Sequence, residues 1–220
     1  MVMNMHIIPY KILNCFKSIT DASRNYPVLS FDIFDTLISR RCGNPQAIFD
    51  IVEKKFNDGH EEKLFDLKGK RIESERRARQ LSSREEISID DIYDILQRDF
   101  GIDPIDEIKR MECEVEIEQV FPNTDIVHFY ESALKEKHVI ITSDMYLNES
   151  IIKKILEKCG IPLPEILYLS STTMLTKHSG SIFRMIKKDL GTDHIMHIGD
   201  NLISDYLKPR MAGLGSYIIK

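Results

Sequence analysis

Several features that define whole classes of protein are missing from this 220-residue sequence. It has no run of about 18 consecutive apolar residues, so we expect no membrane span. Its net charge of -5 lacks the positive excess typical of nucleic-acid-binding proteins, so we expect no nucleic-acid partner. Its four cysteines form no CxxC pair, which argues against a structural zinc site and favours reduced thiols in a cytoplasmic protein.

The composition is otherwise that of a globular protein, with 42% hydrophobic and 30% charged residues. A chain of this length suits one large domain, or a core domain that carries a smaller insertion. The first residues include a short apolar stretch that Pro9 interrupts, and no small-residue cleavage site follows, so we do not expect a signal peptide. Residues 11–18 are predicted to form a short amphipathic helix.

Strands alternate with helices in most of the chain. The apolar run Val28–Ile33 predicts a first buried strand, and further strands are predicted at 138–142, 166–169, 195–198 and 216–219. Helices are predicted between them at 149–158, 179–189 and 202–207. This alternation predicts an α/β fold with a mainly parallel, Rossmann-type sheet.

A helical block interrupts this alternation after the first strand. Apolar residues recur at helical spacing from Pro45 to about Gln119, and no strand pattern occurs among them. We predict four helices there: one from Pro45, one over 61–80, one from Ser88 to Gly101 and one from Pro104. The predicted domains are an α/β core, formed by residues 1–42 and 121–220, and a helical insertion over 43–120.

Polar, reactive residues lie at the ends of the predicted strands. The first strand ends at Asp32, with Phe34 and Asp35 just beyond it, and the second ends at Thr142, Ser143 and Asp144. Lys177 follows the third strand, and Asp200 and Asp205 follow the fourth. The carboxyl ends of parallel strands meet at one edge of a sheet, so we expect these residues to converge. Asp32 and Asp200 would supply the hard oxygen ligands that Mg²⁺ prefers.

The same residues have the chemistry needed for phosphoryl transfer. Asp32 would attack phosphorus and form an aspartyl-phosphate. Ser143 and the backbone amides after it would hold a phosphate oxygen. Lys177 would neutralise the remaining negative charge.

Four segments carry a family resemblance: FDIFDTLISR, IITSDMYL, TKHSGSIF and HIGDNLISD. Their order and spacing resemble the motifs of the haloacid dehalogenase-like (HAD) superfamily, over about residues 30–220. The helical insertion resembles the C1-type cap of that superfamily. The first two segments also resemble a bacterial subgroup associated with cell-surface polysaccharide gene sets, sometimes fused to glycosyltransferases, which implies a glycosyltransferase as a partner.

The resemblance implies a role for each motif residue. Asp32 would be the nucleophile and a ligand of Mg²⁺, together with the backbone carbonyl of Phe34 and the Asp200 carboxylate. Asp205 would be a further ligand or would support the ligands. Ser143 and Lys177 would bind the phosphate.

One position departs from the phosphatase pattern. HAD phosphatases carry a general acid/base aspartate two residues after the nucleophile, where this chain has Phe34 and then Asp35. Dehalogenases of the superfamily carry a bulky aromatic residue there, yet Asp200 and Asp205 match the metal-binding phosphatases. We therefore expect a Mg²⁺-dependent phosphatase or phosphotransferase that acts on a small phosphorylated metabolite. A dehalogenase-type hydrolase and a weakly active domain that binds sugar phosphates are the alternatives.

Substrate contacts are expected from Thr142, Ser143, Asp144 and three arginines, Arg40, Arg76 and Arg79. Asp35 is either a turn residue or a replacement acid/base. Arg71, Arg76, Arg77 and Arg79 lie on one predicted helix with Glu73 and Glu75 between them, a pattern typical of a solvated, salt-bridged face. Asp144 and the histidines, including His197, also have purely structural interpretations.

Overall fold

The computed structural model describes residues 18–219, so the helix predicted over 11–18 lies outside the described residues except for its last position. The strands are β1 (Val28–Phe31), β2 (Ile38–Arg40), β3 (Val120–Pro122), β4 (His138–Ser143), β5 (Ile166–Leu169), β6 (Ile195–Gly199) and β7 (Gly215–Ile218). The helices are α1 (Ile19–Ser23), α2 (Ala47–Gly59), α3 (Leu67–Leu81), α4 (Ile89–Phe100), α5 (Ile105–Gln119), α6 (Thr124–Glu136), α7 (Glu149–Lys158), α8 (Ser170–Thr173), α9 (Ser181–Leu190) and α10 (Lys208–Met211). A π-helical segment, Leu202–Leu207, precedes α10.

Five strands form a parallel sheet in the order β5-β4-β1-β6-β7. The central strand β1 pairs with β4 on one side and β6 on the other, so Val28 faces His138 and Ile195. All four residues of β1 are buried, as expected for a strand covered on both faces. The predicted α/β fold with a mainly parallel sheet is confirmed.

Helix α9 shows how the sheet is covered. Its apolar residues Ile182, Phe183 and Ile186 are buried in one cluster with Val28 and Ile140 of the sheet. Gly191, with a φ of 64°, ends the helix in a left-handed conformation that glycine adopts without a steric penalty.

Helices α2 to α5 follow one another between β2 and β3, and we call them the helical insertion. Helix α3 begins at Leu67 and not at the predicted position 61. Asp66 adopts a positive φ of 56°, and its side chain accepts a hydrogen bond from the Gly69 N–H, which fixes the start of the helix there.

Arg71 corrects the prediction of a solvated arginine face. Its side chain is fully buried, and its guanidinium donates to both carboxylate oxygens of Glu112 over 2.8 and 2.9 Å. The guanidinium also lies 4.7 Å from the Phe49 ring centroid and 4.8 Å from that of Tyr146. This arginine holds the helical insertion together from within, whereas Arg76, Arg77 and Arg79 form the expected salt bridges at partly exposed positions.

Several elements had no clear sequence signal, among them β2, β3 and α6. Strands β2 and β3 pair in antiparallel fashion, Ile38 opposite Pro122, and place the two ends of the helical insertion side by side. Helix α6 was not predicted, although Val127, Tyr130 and Ala133 recur at three-residue spacing and are buried.

The domain boundaries near 42 and 121 remain a prediction. Every helix within 18–219 is too short or too polar to cross a membrane.

Candidate active site

The site begins with Asp32, which directly follows β1. Its backbone N–H donates to the Ile198 carbonyl of β6 over 2.9 Å, so the sheet fixes the position of this residue. Its carboxylate is buried and lies 2.7 Å from Lys177 Nζ. Burial raises the pKa of Asp32 to about 6, although the Lys177 ammonium opposes the shift.

Lys177 lies between two carboxylates. Its Nζ is 2.7 Å from Asp32 Oδ1 and donates to Asp205 Oδ1 over the same distance. The side chain is almost fully buried, which disfavours its charge, but the two carboxylates outweigh burial and hold its pKa well above the usual range. The structure therefore brings together these three residues, which the sequence places at the ends of different strands.

Asp205 is anchored by several groups of the chain. Its Oδ1 also lies 3.0 Å from His197 Nε2, and its Oδ2 accepts the Asn201 N–H over 2.9 Å. Burial opposes its charge, yet Lys177 and His197 outweigh burial and hold the pKa of Asp205 well below its usual value. A Cβ at Gly199 would lie 2.5 Å from this carboxyl carbon, so only glycine leaves room for it.

A buried chain of polar groups continues beneath Asp205. Ser30 Oγ lies 2.8 Å from both His197 Nδ1 and Thr142 Oγ1. Thr142, predicted as a substrate contact, thus has its hydroxyl in this buried chain. Sequence reasoning assigned His197 no site role, since nothing in the pattern of a single buried histidine indicates its partner.

Asp200 completes a group of three carboxylates. One oxygen of each of Asp32, Asp200 and Asp205 lies within 4.8 Å of the others. Asp200 lies at the surface of the protein, but its carboxyl group is partly removed from water. This partial burial, together with the negative charges of Asp205 and Asp35, raises its pKa to about 6.

These residues fit Mg²⁺ through the chemistry of their donors. Asp205 has both oxygens engaged by protein donors, so Asp32 and Asp200 are the carboxylates with free acceptor capacity. The Phe34 carbonyl accepts no hydrogen bond from the described residues. Two neighbouring carboxylates whose pKa values are raised supply hard oxygen ligands, and a divalent cation would stabilise their charged forms.

Ser143 and Asp144 lie beside this group at the end of β4. Ser143 is buried, and within residues 18–219 its hydroxyl makes no hydrogen bond to protein, which leaves it available to a ligand. Asp144 accepts the Lys177 N–H over 2.8 Å and the His178 N–H over 3.1 Å. Asp144 therefore supports the loop that carries Lys177, in line with the structural interpretation.

Asp35 lies in the turn after Asp32. It is exposed and has a positive φ of 56°. The turn is closed by the Ile33 carbonyl, which accepts the N–H groups of Leu37 and Ile38 over 2.9 and 3.0 Å. The negative charge of Asp35 contributes to the raised pKa of Asp200.

A cavity of about 540 Å³ separates this edge of the sheet from the helical insertion. It is lined by Phe34, Asp144 and Tyr146 on the sheet side and by Phe49, Arg76 and Arg79 on the insertion side. A larger hollow of about 770 Å³ surrounds Tyr26 and Gly215, at the amino ends of the strands, and contains none of the predicted site residues. The 540 Å³ cavity is therefore the candidate substrate pocket.

The three predicted arginines all line this cavity, and all are already paired. Arg40 is buried, contacts both oxygens of Glu116 over 2.9 and 3.3 Å, and lies 4.1 Å from the Phe34 ring centroid. Arg76 pairs with Glu73, and Arg79 with Glu75 and Glu86, so each positive charge faces a carboxylate. An anionic substrate would have to compete with these partners.

No family model matches this chain, and no curated protein matches it. Solved structures do match. The HAD-hydrolase YfnB from Bacillus subtilis, solved with bound magnesium, is 16% identical with a TM-score of 0.60, and the match covers 89% of each chain.

Two further structures represent different chemistries. A HAD family enzyme from Bacteroides thetaiotaomicron, in complex with magnesium and inorganic phosphate, is 16% identical with a TM-score of 0.58, covering 89% of this chain and 94% of that one. The L-2-haloacid dehalogenase from Xanthobacter autotrophicus, with chloropropionic acid covalently bound, is 11% identical with a TM-score of 0.59, covering 88% and 77%. The chain therefore has the HAD-like fold that these hydrolases share.

Proposed function

We propose that this protein is a Mg²⁺-dependent phosphohydrolase or phosphotransferase that acts on a small phosphorylated metabolite. The observation that carries the proposal is the Asp32 carboxylate, which lies at the end of the central strand, 2.7 Å from the Lys177 ammonium and beside two further carboxylates. One buried carboxylate with a paired lysine and nearby oxygen ligands is suited to attack on phosphorus.

In this mechanism Asp32 attacks the phosphorus atom, the bond to the leaving group breaks, and an aspartyl-phosphate forms. Water, or an acceptor hydroxyl, then takes the phosphoryl group and releases Asp32. Lys177 holds one oxygen of Asp32 and offsets negative charge on the transferring group, and the Ser143 hydroxyl donates to a phosphate oxygen. Asp205 keeps Lys177 charged and in place.

Asp32, the Phe34 carbonyl and Asp200 would hold the cation. When bound, Mg²⁺ lessens the repulsion between the Asp32 carboxylate and an anionic phosphate. The protein itself orients Asp32 through the hydrogen bond from its backbone N–H to the Ile198 carbonyl of β6.

Phe34 limits which phosphates react well. An aromatic ring at this position donates no proton to the leaving group, and a positioned general acid contributes about 10²–10⁴-fold to such steps. Substrates whose leaving groups depart as stable anions, such as acyl phosphates or nucleotide phosphates, lose least. We therefore propose phosphates with good leaving groups as the preferred substrates.

A dehalogenase-type hydrolase is the second candidate. Phe34 favours it, since the ring packs against the Arg40 guanidinium and gives the cavity an apolar wall two residues after Asp32 in the chain. In that reaction Asp32 would displace halide from carbon, which needs no metal. The intact set Asp32, Asp200 and Asp205 favours the phosphatase instead.

Two expectations from the sequence enter as weaker proposals. One is a slow or inactive domain that binds sugar phosphates beside a glycosyltransferase partner. The other is a cytoplasmic location, which rests on four scattered cysteines that form no CxxC pair in the sequence.

A panel of acyl phosphates, nucleotide phosphates, sugar phosphates and 2-haloacids separates these candidates. Phosphate release that requires Mg²⁺, that EDTA stops and that Asp32→Asn abolishes would support the proposal. The exposed Asp58→Asn, which alters charge equally on α2, serves as the matched control. Halide release in EDTA would instead establish the dehalogenase. Ligand-induced thermal shifts without turnover would establish the binding domain.

A further inference from the structure

The loop between α3 and α4 carries two adjacent glutamates that reach across to the sheet side of the site. Glu85 Oε2 accepts the Thr176 N–H over 3.1 Å and the Ser179 hydroxyl over 2.7 Å, and the Ser181 hydroxyl also donates to it. Glu86 accepts the Ser170 hydroxyl over 2.7 Å. These are contacts between the helical insertion and the loops that follow β5.

The segment that Glu85 binds is the one that carries Lys177. Three consecutive backbone N–H groups, those of Thr176, Lys177 and His178, each donate to a carboxylate. Asp144 of the sheet side accepts the second and third of these, and Glu85 of the insertion accepts the first. The backbone around Lys177 is therefore held by Glu85 of the helical insertion and by Asp144 of the sheet side.

Glu85 binds this loop as an anion. Although Glu85 is largely exposed, the hydrogen bonds from Ser181, Ser179 and Thr176 outweigh what burial it has and lower the pKa of its carboxyl. The helix that follows, α9, has Gly180 at its N-cap and no side-chain cap of its own. A carboxylate beside its first residue, Ser181, offsets the positive end of the helix dipole.

Glu86, the neighbour of Glu85, attaches the loop between α3 and α4 to the sheet side. It is almost fully buried, and besides Ser170 it accepts the Arg79 guanidinium over 2.7 Å. Ser170 Oγ in turn accepts the Met145 N–H over 2.8 Å, next to Asp144. Because Glu86 is bound to the sheet side, it keeps the adjacent Glu85 next to the loop that carries Lys177.

From these contacts we infer that Glu85 is a positioning residue for the reaction: it holds the backbone at Thr176, next to Lys177, and together with Asp144 it places the Lys177 ammonium against Asp32. The inference rests on the proposed function, since it assumes that Lys177 acts on the reacting group. It adds that a residue of the helical insertion helps to place the lysine, so that the sheet residues alone do not complete the site.

Glu85→Ala tests this inference, with Ser83→Ala in the same exposed loop as the matched control. Hydrogen exchange over residues 174–181 should become about tenfold faster in Glu85→Ala, while the remaining sheet exchanges as in the wild type. Lys177 should be acylated faster by acetic anhydride, as read by mass spectrometry. Glu85→Gln keeps an acceptor oxygen and should lie between the wild type and Glu85→Ala in both measurements.

The kinetic arm uses acetyl phosphate with Mg²⁺. Glu85→Ala should lower kcat about tenfold with a small change in KM, because the loop acts on the reacting group and not on the rest of the substrate. Unchanged exchange and unchanged Lys177 labelling would overturn the inference. Faster exchange with an unaltered kcat would overturn the positioning role as well, and so would exchange accelerated throughout the protein. If the wild type itself shows no turnover, the proposed function fails, and exchange and labelling still decide whether Glu85 holds Lys177.

Discussion

Replacing Lys177 with methionine keeps most of the length of the side chain and removes the ammonium. In the native site that ammonium lies 2.7 Å from one oxygen of Asp32 and one of Asp205, and all three side chains are buried. The variant leaves the buried Asp32 carboxylate without its cation, and Asp205 keeps only His197 Nε2 and the Asn201 N–H as partners. Breaking a buried ion pair by removing one partner costs about 3–5 kcal/mol. Since domains unfold with about 5–15 kcal/mol, the loss is a large share of the total.

The size of this loss should depend on pH. Burial already raises the pKa of Asp32 to about 6, and removing the Lys177 charge, which opposes the shift, raises it further. Between the unfolded and folded pKa values the folded variant binds more protons than the unfolded chain, so its stability falls as the pH rises. The deficit relative to the wild type should therefore be smaller at pH 5 than at pH 8.

Urea unfolding in EDTA at both pH values measures this deficit. Lys153→Met is the matched control, because Lys153 pairs with Glu149 on the exposed face of α7 and should cost less than about 1 kcal/mol. Combining Lys177→Met with Asp205→Asn removes one of the stranded charges, so the two changes should be coupled by about 1–3 kcal/mol. Strict additivity, or an equal deficit at pH 5 and pH 8, would refute this account of the site.

Three further outcomes are expected. Asp32→Asn should reduce turnover below detection, whereas Asp35→Asn should reduce it by less than about 10²-fold; a larger loss confined to poor leaving groups would assign the acid/base role to Asp35. Mg²⁺ should raise the Tm more at pH 8 than at pH 5, because Asp32 and Asp200, with pKa values of about 6, must release protons to bind it, and Asp200→Asn should abolish the shift. Glu116→Gln should cost about 3 kcal/mol in urea unfolding, because the neutral amide leaves the buried Arg40 charge without a counter-charge. A cost below about 1 kcal/mol would contradict that reasoning.

The parallel sheet could be predicted because its signal is local. Each strand is a short apolar run, and each run is followed by polar residues at the carboxyl edge, so Asp32, Lys177 and Asp205 could be expected to meet. In the structure the Lys177 ammonium lies within hydrogen-bonding distance of both the Asp32 and the Asp205 carboxylates. Their roles in catalysis remain predictions.

The parts that were missed depend on partners distant in sequence. Nothing near Glu85 indicates that it binds Thr176, which is 91 residues away along the chain. The solvated-face pattern around Arg71 is also the pattern of a buried arginine whose partner, Glu112, comes from another helix. Periodicity shows which residues share a face of a helix but not what that face contacts.

Short elements were the other source of error. Strands β2 and β3 have three residues each, too few for an alternation to be recognised. The start of α3 was placed six residues early, because the charged residues before Asp66 are good helix formers and the left-handed conformation at Asp66 could not be inferred from them.

The pairing of β2 with β3 makes the helical insertion, in terms of chain connectivity, the loop of a β-hairpin. The hairpin is extended by one bond, from the Arg41 N–H to the Gln119 carbonyl over 2.7 Å. About 80 residues leave and return at adjacent points, so the path from β1 through α6 to β4 is an ordinary crossover with or without them. Because the entropy of loop closure grows only slowly with length, insertions and deletions within this hairpin loop should alter what covers the site while the crossover beneath it stays the same.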